Sequence, residues 1–317
     1  MSTQWRGRRE GGGRFAIWLI RTIGLHCGRR AARVLLYPIT LYFYFRRGVE
    51  RRGSYAYLGR VLGRPARMHE VLRHIHCFAS TLLDRVFLLS DRFRRFDVRV
   101  ECLDQLTRHL DRDRGVLLLG AHIGSFEVLR ALAGEHPDVA VHAVLDTVQT
   151  PALTELLHAL NPEVAANVID ASRPSTEIVL AIREAIEAGG IATLLADRAR
   201  PHESTVSVNF LGSPARFPVA PMLIAAALDA PVVLAFGLFR GGRRYDLYFE
   251  GFAEHVVLPR HARKEALRAE VQRFATRLEA HVRDAPYNWF NWHDIWNVES
   301  DAGESRVDRA AVSRRAA

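Results

Sequence analysis

From residue 115 onward, short apolar runs alternate with stretches of helical periodicity, and this alternation constrains the fold more than any other feature of the sequence. The helical stretches lie near residues 126–134, 151–160 and 174–188. Strands that alternate with helices build parallel sheets whose faces are covered by those helices. We therefore predict an α/β fold with a mixed, mostly parallel central sheet flanked by helices. The predicted strands are Gly115–Gly120, Val139–Leu145, Asn167–Ile169, Ile191–Ala196, Val232–Phe239 and Tyr245–Phe252.

The last two predicted strands are separated by Arg240-Gly241-Gly242-Arg243, a sequence that is typical of a hairpin turn. This turn predicts an antiparallel pair at the edge of the sheet. Residues 54–92 and 262–284 carry apolar residues at helical spacing, so both segments are predicted to be helical.

The chain has 317 residues, of which 49% are hydrophobic and 25% are charged, so it is long enough to fold around a core of its own. We expect a flexible basic segment at residues 1–14 and a helical, membrane-associated segment at 15–50. A large domain is expected at 51–298, followed by a disordered tail at 299–317.

The net charge of +9 favours an anionic partner, such as nucleic acid, anionic lipid or a phosphorylated carrier. The basic residues are almost all arginine and are interleaved with acidic residues, and the sequence contains no nucleic-acid-binding motif. A basic nucleic-acid-binding protein is therefore kept as an alternative, but we predict no nucleic-acid partner.

Residues Val34–Phe45 form an apolar, aromatic run with arginines at both ends. A straight helix needs roughly 20 apolar residues to cross a bilayer, so this run is too short, and Pro38 is expected to interrupt it. One interpretation is a buried helix of a soluble fold. The interpretation that we favour is an interfacial segment that holds the protein on a membrane surface. The flanking arginines are Arg29, Arg30, Arg33, Arg46 and Arg47.

Neither the cysteines nor the clustered histidines indicate a metal site. Cys27, Cys77 and Cys102 show no Cys-x-x-Cys spacing and are interpreted as reduced, structural thiols. His69 and His74 are five residues apart, which separates them around a helix, and no acidic residue completes a ligand set. We expect no metal.

Several common catalytic motifs are missing from the sequence, namely Gly-x-Ser-x-Gly, Gly-x-Gly-x-x-Gly, the P-loop pattern and His-Glu-x-x-His. Their absence weighs against α/β-hydrolases, dinucleotide enzymes, P-loop enzymes and zinc proteases.

The most informative segment places His122 directly after an apolar strand and before a helical stretch. Open α/β sheets carry their sites at this edge. Glu127 completes a His-x-x-x-x-Glu pattern, and the small residues Gly124 and Ser125 between them let a substrate or the backbone approach closely. His158 and Glu163 form a second such pair, which spans a predicted helix end and is interpreted as accidental.

Residues five apart lie about 140° apart around a helix, so His122 and Glu127 meet only if the histidine precedes the helix and the glutamate lies in its first turns. A carboxylate on one imidazole nitrogen fixes the tautomer and raises the basicity of the other nitrogen. His122 would then be a general base for an acceptor hydroxyl or amine, and backbone N–H groups at the helix start would stabilise the oxyanion. A structural histidine at a strand end remains the alternative.

The sequence resembles the lysophospholipid acyltransferase superfamily, in particular the branch of late lauroyl and myristoyl acyltransferases of lipid A biosynthesis. The resemblance rests on His122 and Glu127 and on the strand that ends at Asp197-Arg198. It also rests on residues 208–218, which contain Arg216, and on the aromatic segment 286–292. The resemblance covers roughly residues 30–297.

The resemblance implies acyl transfer from acyl carrier protein, or less often from acyl-CoA, to a lipid or glycolipid acceptor, with no cofactor. It implies a peripheral or monotopic protein on the cytoplasmic face of the bacterial inner membrane. A non-catalytic membrane-associated protein of the same fold is the other alternative. The His-Ile-Gly-Ser-Phe-Glu sequence lacks the Asn-Trp that lipid A enzymes carry before the acidic residue, which is typical of a divergent subgroup.

Two hypotheses concern residues near the predicted base. Arg198 and Arg216 are expected to hold a phosphate or another anionic group of the donor or acceptor. Asp197 is expected to position an arginine or an acceptor hydroxyl. The predicted substrate-binding residues are Gly124, Ser125, Asp197, Arg198 and Arg216.

Overall fold

The computed structural model describes residues 13–90, 93–110, 115–129, 139–200 and 203–296. The predicted tail at 299–317 and all but the last two residues of the predicted segment 1–14 lie outside these ranges.

The described residues form a seven-stranded central sheet and a separate two-stranded antiparallel sheet. The strands in chain order are β1 Asp97–Glu101, β2 Val116–Gly120, β3 Val141–Leu145, β4 Val168–Asp170, β5 Ile191–Leu195, β6 Thr205–Phe210, β7 Ser213–Pro218, β8 Val232–Gly241 and β9 Arg244–Ala253. The central order is β1-β9-β8-β2-β5-β3-β4, and every neighbouring pair is parallel except β8 and β9. The prediction of a mixed, mostly parallel sheet with flanking helices is confirmed.

The helices lie before, between and after these strands in the chain. They are α1 Gly13–Arg46, α2 Gly48–Leu62, α3 Met68–Leu88, α4 Asp104–Leu110, α5 Pro151–Leu160, α6 Pro162–Ala166, α7 Ser175–Glu187, α8 Ala220–Leu228 and α9 Arg263–Asp284. A short 3-10 helix, Phe93–Arg95, precedes β1. The predicted helical segment 54–92 is two helices, because the chain turns through Gly63 in the left-handed region (φ 66°) and through Pro65.

Two details of the predicted sheet are wrong. The β8–β9 hairpin forms as expected, with Gly241 at φ 94° and Gly242 at φ 58°, but it does not lie at the edge. β1 pairs with β9 in parallel and covers it. β1 was not predicted from apolar runs, because it is only five residues long and alternates valine with charged residues.

The central strand β2 is buried on both faces, as parallel strands between helical layers usually are. Leu117 and Leu119 point into a core with α7 and α9, whereas Val116 and Leu118 point into a second core with α4. Both cores pack against β2, which ends two residues before His122.

The first helix carries the segment that was expected to meet a membrane. Its regular geometry breaks at Gly28 (φ 82°, ψ 165°) rather than at Pro38, which the helix accommodates. Leu36 and Tyr44 are buried, and α1 packs along α3. Within the described ranges, no helix combines the length and apolar character that a membrane-crossing helix requires. A face of large apolar residues remains exposed at Val34, Leu35, Tyr37, Leu41, Tyr42 and Phe45.

Candidate active site

His122 and Asp197 stand at equivalent positions beyond two adjacent parallel strands. β2 and β5 pair with Gly120 opposite Leu195, and the N–H of Ala196 continues the ladder by donating to the carbonyl of Gly120 at 2.9 Å. Two residues further along each strand, the same register places His122 beside Asp197. The sheet itself therefore brings together two residues that are 75 positions apart in sequence.

The side chain of Asp197 is fully buried and holds His122 by two contacts. The Nδ1–H of His122 donates to Oδ1 of Asp197 at 2.8 Å, and the backbone N–H of His122 donates to Oδ2 at 3.1 Å. The indole N–H of Trp289 donates to the same Oδ2 at 2.8 Å. A carboxylate only accepts, so the proton of the imidazole is on Nδ1 and Nε2 has a free lone pair. The His122 side chain is 31% exposed, which leaves it accessible to a substrate.

The electrostatics of this pair keep the imidazole neutral. Burial lowers the pKa of His122 and the positive charge of Arg198 lowers it further, while Asp197 only partly offsets them. Burial alone would raise the pKa of Asp197, but His122, Arg198 and Trp289 together lower it. A neutral imidazole beside an ionised carboxylate is the state that a general base requires at neutral pH.

Arg198 follows Asp197 directly and lies close enough for its charge to act on both members of the pair. One of its terminal nitrogens donates to the carbonyl of Phe290 at 3.0 Å. Among the described residues, its buried Nε has no hydrogen-bond acceptor. A buried donor without a partner costs free energy unless a ligand supplies the acceptor.

Glu127 has different partners from those that its spacing predicts. Its carboxylate pairs with the guanidinium of Arg85 on α3 and accepts a hydrogen bond of 2.6 Å from the hydroxyl of Ser125. Residues 126–129 have 3-10 geometry, and residues 130–134 of the predicted helical stretch lie outside the described ranges. The carboxylate that contacts His122 belongs to Asp197. The expected role of Asp197 in positioning an arginine or an acceptor hydroxyl stays a prediction, and its contact with His122 is an additional role.

The loop that carries His122 is fixed by a close approach of two glycines. Gly124 is in the left-handed region at φ 58°, and a Cβ there would come within 1.9 Å of the carbonyl oxygen of Gly237. The N–H of Gly124 donates to Asn288, and the N–H of Ser125 donates to Gly237. The N–H groups of His122 and Ile123 also have protein acceptors. The N–H groups of residues 122–125 are therefore all donated within the protein, and the expectation that N–H groups at the helix start stabilise an oxyanion stays a prediction.

These features lie inside a region that matches a known family. Residues 83–297 match the model of bacterial lipid A biosynthesis acyltransferases, which is more than half of the chain. The chain belongs to this family. It is an acyltransferase. No curated protein matches the chain.

Residues that were not predicted individually as site residues complete the site of this acyltransferase. Trp289 is fully buried and stacks edge-on against Tyr57 and Phe210, with ring centroids 5.1 and 5.2 Å away. The N–H of Phe290 donates to the carbonyl of His122 at 2.7 Å. The aromatic segment 286–292 marked this region in the sequence. No local signal marked Gly237 or Arg85.

Arg216 of the acyltransferase lies on β7, in the separate two-stranded sheet, where its backbone N–H donates to Ile295 at 2.8 Å. Its role in binding an anionic substrate group stays a prediction.

His74, one of the histidines that were considered as metal ligands, has a hydrogen-bonding role in the acyltransferase. His74 is buried, accepts at Nδ1 from the hydroxyl of Ser54 at 2.8 Å, and donates from Nε2 to the carbonyl of Trp289 at 2.9 Å. His76 stacks on Tyr37. His74 therefore supports the segment that presents the indole of Trp289 to Asp197.

Proposed function

We propose that the protein transfers a fatty acyl group from acyl carrier protein, or from acyl-CoA, to a hydroxyl or amine of a lipid or glycolipid, with His122 as the general base. The observation that carries this proposal is the hydrogen bond between Nδ1 of His122 and the buried carboxylate of Asp197. It leaves Nε2 free at a partly exposed position beyond the carboxyl end of β2, where α/β sheets bind their ligands.

The proposed reaction has two steps. Nε2 of His122 takes the proton of the acceptor hydroxyl or amine while that oxygen or nitrogen bonds to the thioester carbonyl carbon. The tetrahedral intermediate then breaks its carbon–sulfur bond, and the protonated His122 returns the proton to the departing thiolate. The products are an ester or amide and a free thiol, so His122 ends in its starting state.

Arg198 is the group that we propose to stabilise the oxyanion of the intermediate. Its positive charge lies near His122, and its buried Nε has no acceptor among the described residues. A preorganised donor that meets charge formed only in the transition state contributes strongly to catalysis. Arg216 is proposed to contact an anionic group of the donor or acceptor further from the reacting atoms.

Two residues that were predicted to bind substrate have a supporting role in this proposal. Gly124 allows the loop to pack on Gly237, and Ser125 is buried and bonded to Glu127. Glu127 and its partner Arg85 then anchor the loop that carries His122, whereas Asp197 orients the imidazole.

We also propose that the exposed face of α1 rests on the cytoplasmic face of the bacterial inner membrane. Val34, Leu41 and Phe45 follow one another at helical spacing and are 66%, 46% and 67% exposed. Arg30 and Arg46 flank this face and are exposed to anionic headgroups. Delivery of an acyl chain at a lipid surface would suit a lipid acceptor.

The direct test is the release of free thiol from lauroyl-acyl carrier protein or lauroyl-CoA in the presence of detergent-solubilised bacterial membrane lipids. We expect His122→Ala to lower the rate by at least about a hundredfold, because a positioned base contributes about that factor or more. His158→Ala is the matched control, since His158 belongs to the second His-x-x-x-x-Glu pair. Equal rates in the folded His122→Ala and His158→Ala proteins would overturn the proposal.

A further inference from the structure

A basic pocket of about 230 Å³ lies beside the kink of α1, away from His122. Three parts of the chain build it: the helix around Gly28, the 3-10 helix before β1, and the β8–β9 turn. None of the described residues that line it is acidic. They are Gly28, Arg29, Arg30, Phe87, Arg95, Phe96 and Arg243.

One of the four arginines holds the pocket in place. Arg29 forms a two-pronged ion pair with the buried carboxylate of Asp84, with both distances 2.6 Å, and it also donates to the carbonyl of Gly242. The hydroxyl of Tyr245 donates to the same carboxylate at 3.0 Å. The charges of Arg29 and Asp84 compensate each other, so this pair ties α1 to the hairpin and leaves the other arginines to set the charge of the pocket.

Among the described residues, the other three arginines, Arg30, Arg95 and Arg243, have no ion-pair partner. The nearby carboxylate of Asp97 is directed to Arg99, at 3.7 Å. The N–H of Asp97 donates to the carbonyl of Arg243 at 3.1 Å, which fixes the hairpin turn next to the 3-10 helix. The three arginines line the pocket from separate segments of the chain, so each of them would attract an anion that enters it.

We propose that this pocket binds the phosphate group of an anionic lipid headgroup. Guanidinium groups that converge from separate segments suit the several acceptor oxygens of a phosphate. Phe87 and Phe96 add an apolar wall that a free phosphate would not use but the carbon chain of a lipid would.

The position of the pocket agrees with a lipid ligand. Arg30 precedes Val34, the first residue of the exposed apolar face of α1, by four residues, or about 6 Å along a helix. The proposal thus rests on the placement of α1 at a lipid surface. α3 links the pocket to the loop that carries His122, because Asp84 contacts Arg29 and the next residue, Arg85, contacts Glu127.

The test is calorimetric titration of the full-length protein with soluble ligands: dihexanoyl phosphatidic acid, dihexanoyl phosphatidylcholine and inorganic phosphate. We expect the phosphatidic acid to bind at least about tenfold more tightly than either of the others, and the double variant Arg95→Gln/Arg243→Gln to weaken it by about tenfold or more. The matched control is Arg260→Gln/Arg268→Gln, which removes two exposed arginines outside the pocket and should stay within about twofold.

Equal binding of phosphatidic acid by the pocket variant and the control would overturn the proposal. Inorganic phosphate that binds as tightly as phosphatidic acid would overturn the lipid as the source of the phosphate. Because these ligands are soluble, the result does not depend on membrane attachment. A Leu41→Gln/Phe45→Gln variant separates the pocket proposal from the proposal that α1 rests on a membrane. It should lose vesicle binding but keep phosphatidic acid binding.

Discussion

The imidazole of His122 meets the carboxylate of Asp197 because each residue lies two positions past the last paired residues of β2 and β5, Gly120 and Leu195. The geometry of the pair is therefore a property of the sheet and does not depend on a flexible loop. The indole N–H of Trp289 donates to Oδ2 of the same carboxylate and holds it in place. These contacts lead to the following predictions.

The substitution Arg198→Gln should move the acidic limb of the pH–rate profile to higher pH. The base must be neutral, so activity is lost as the pH falls through the pKa of His122, which burial and then Arg198 hold below 6.5. Without the guanidinium charge, the pKa of His122 should rise, because one of the causes that lower it is gone. Glutamine can still donate to the carbonyl of Phe290. The measurement is kcat/KM between about pH 4.5 and 8. An acidic limb that stays in place or moves downward would show that Arg198 does not act on the base.

The substitution Gly124→Ala should destabilise the protein by about 3 kcal/mol and lower activity, because its Cβ would overlap the carbonyl of Gly237. Gly212→Ala is the control: Gly212 also has a positive φ, 76°, but nothing lies within 4 Å of its Cβ position. That change should lower the free energy of unfolding by only about 1 kcal/mol, which is the cost of placing alanine in the left-handed region. Urea unfolding of both variants gives the comparison, and equal losses would contradict the close approach.

The buried His74 should make stability fall between about pH 6.5 and pH 4. Burial lowers its pKa to about 4, so below 6.5 the unfolded chain binds a proton that the folded protein excludes. The loss from this residue at pH 5 relative to pH 7 is about 2 kcal/mol. Urea unfolding at both pH values tests this. Between pH 7 and pH 5, the free energy of unfolding of His74→Asn, whose side chain does not titrate, should fall by about 2 kcal/mol less than that of the wild type. An equal fall in both proteins would refute the assignment.

The sequence predicts the central strands well and the partner of His122 poorly, for one physical reason. Buried strands such as β2 are continuous apolar runs, so composition reveals them. Which strands become neighbours depends on tertiary packing, and only that arrangement brings Asp197 to His122. Local spacing favoured Glu127 instead, and the position of Arg85, which binds Glu127, carries no local signal. The kink of α1 at Gly28 rather than Pro38 has the same origin, because α3 supports the helix past the proline.

The substitutions Leu41→Gln/Phe45→Gln should lower the partition of the protein onto neutral phosphatidylcholine vesicles by about tenfold or more, since both side chains would be buried at the interface. The control is Leu180→Gln/Val257→Gln, which removes two residues that are 54% and 67% exposed but lie outside α1. Sedimentation with vesicles measures the partition. A similar change in both variants would contradict a membrane role of this face.

The most direct test of the central claim compares Asp197→Asn with Glu127→Gln in the thiol-release assay at pH 7. Asparagine keeps the shape of the side chain but offers an amide donor to Nδ1, which favours the tautomer with its proton on Nε2 and removes the base. We predict that Asp197→Asn lowers kcat by roughly a hundredfold or more with a small change in KM, and that Glu127→Gln lowers it by about tenfold or less. Near wild-type turnover in Asp197→Asn, with a loss in Glu127→Gln as large as that in His122→Ala, would contradict the account and make Glu127 the residue that orients the base.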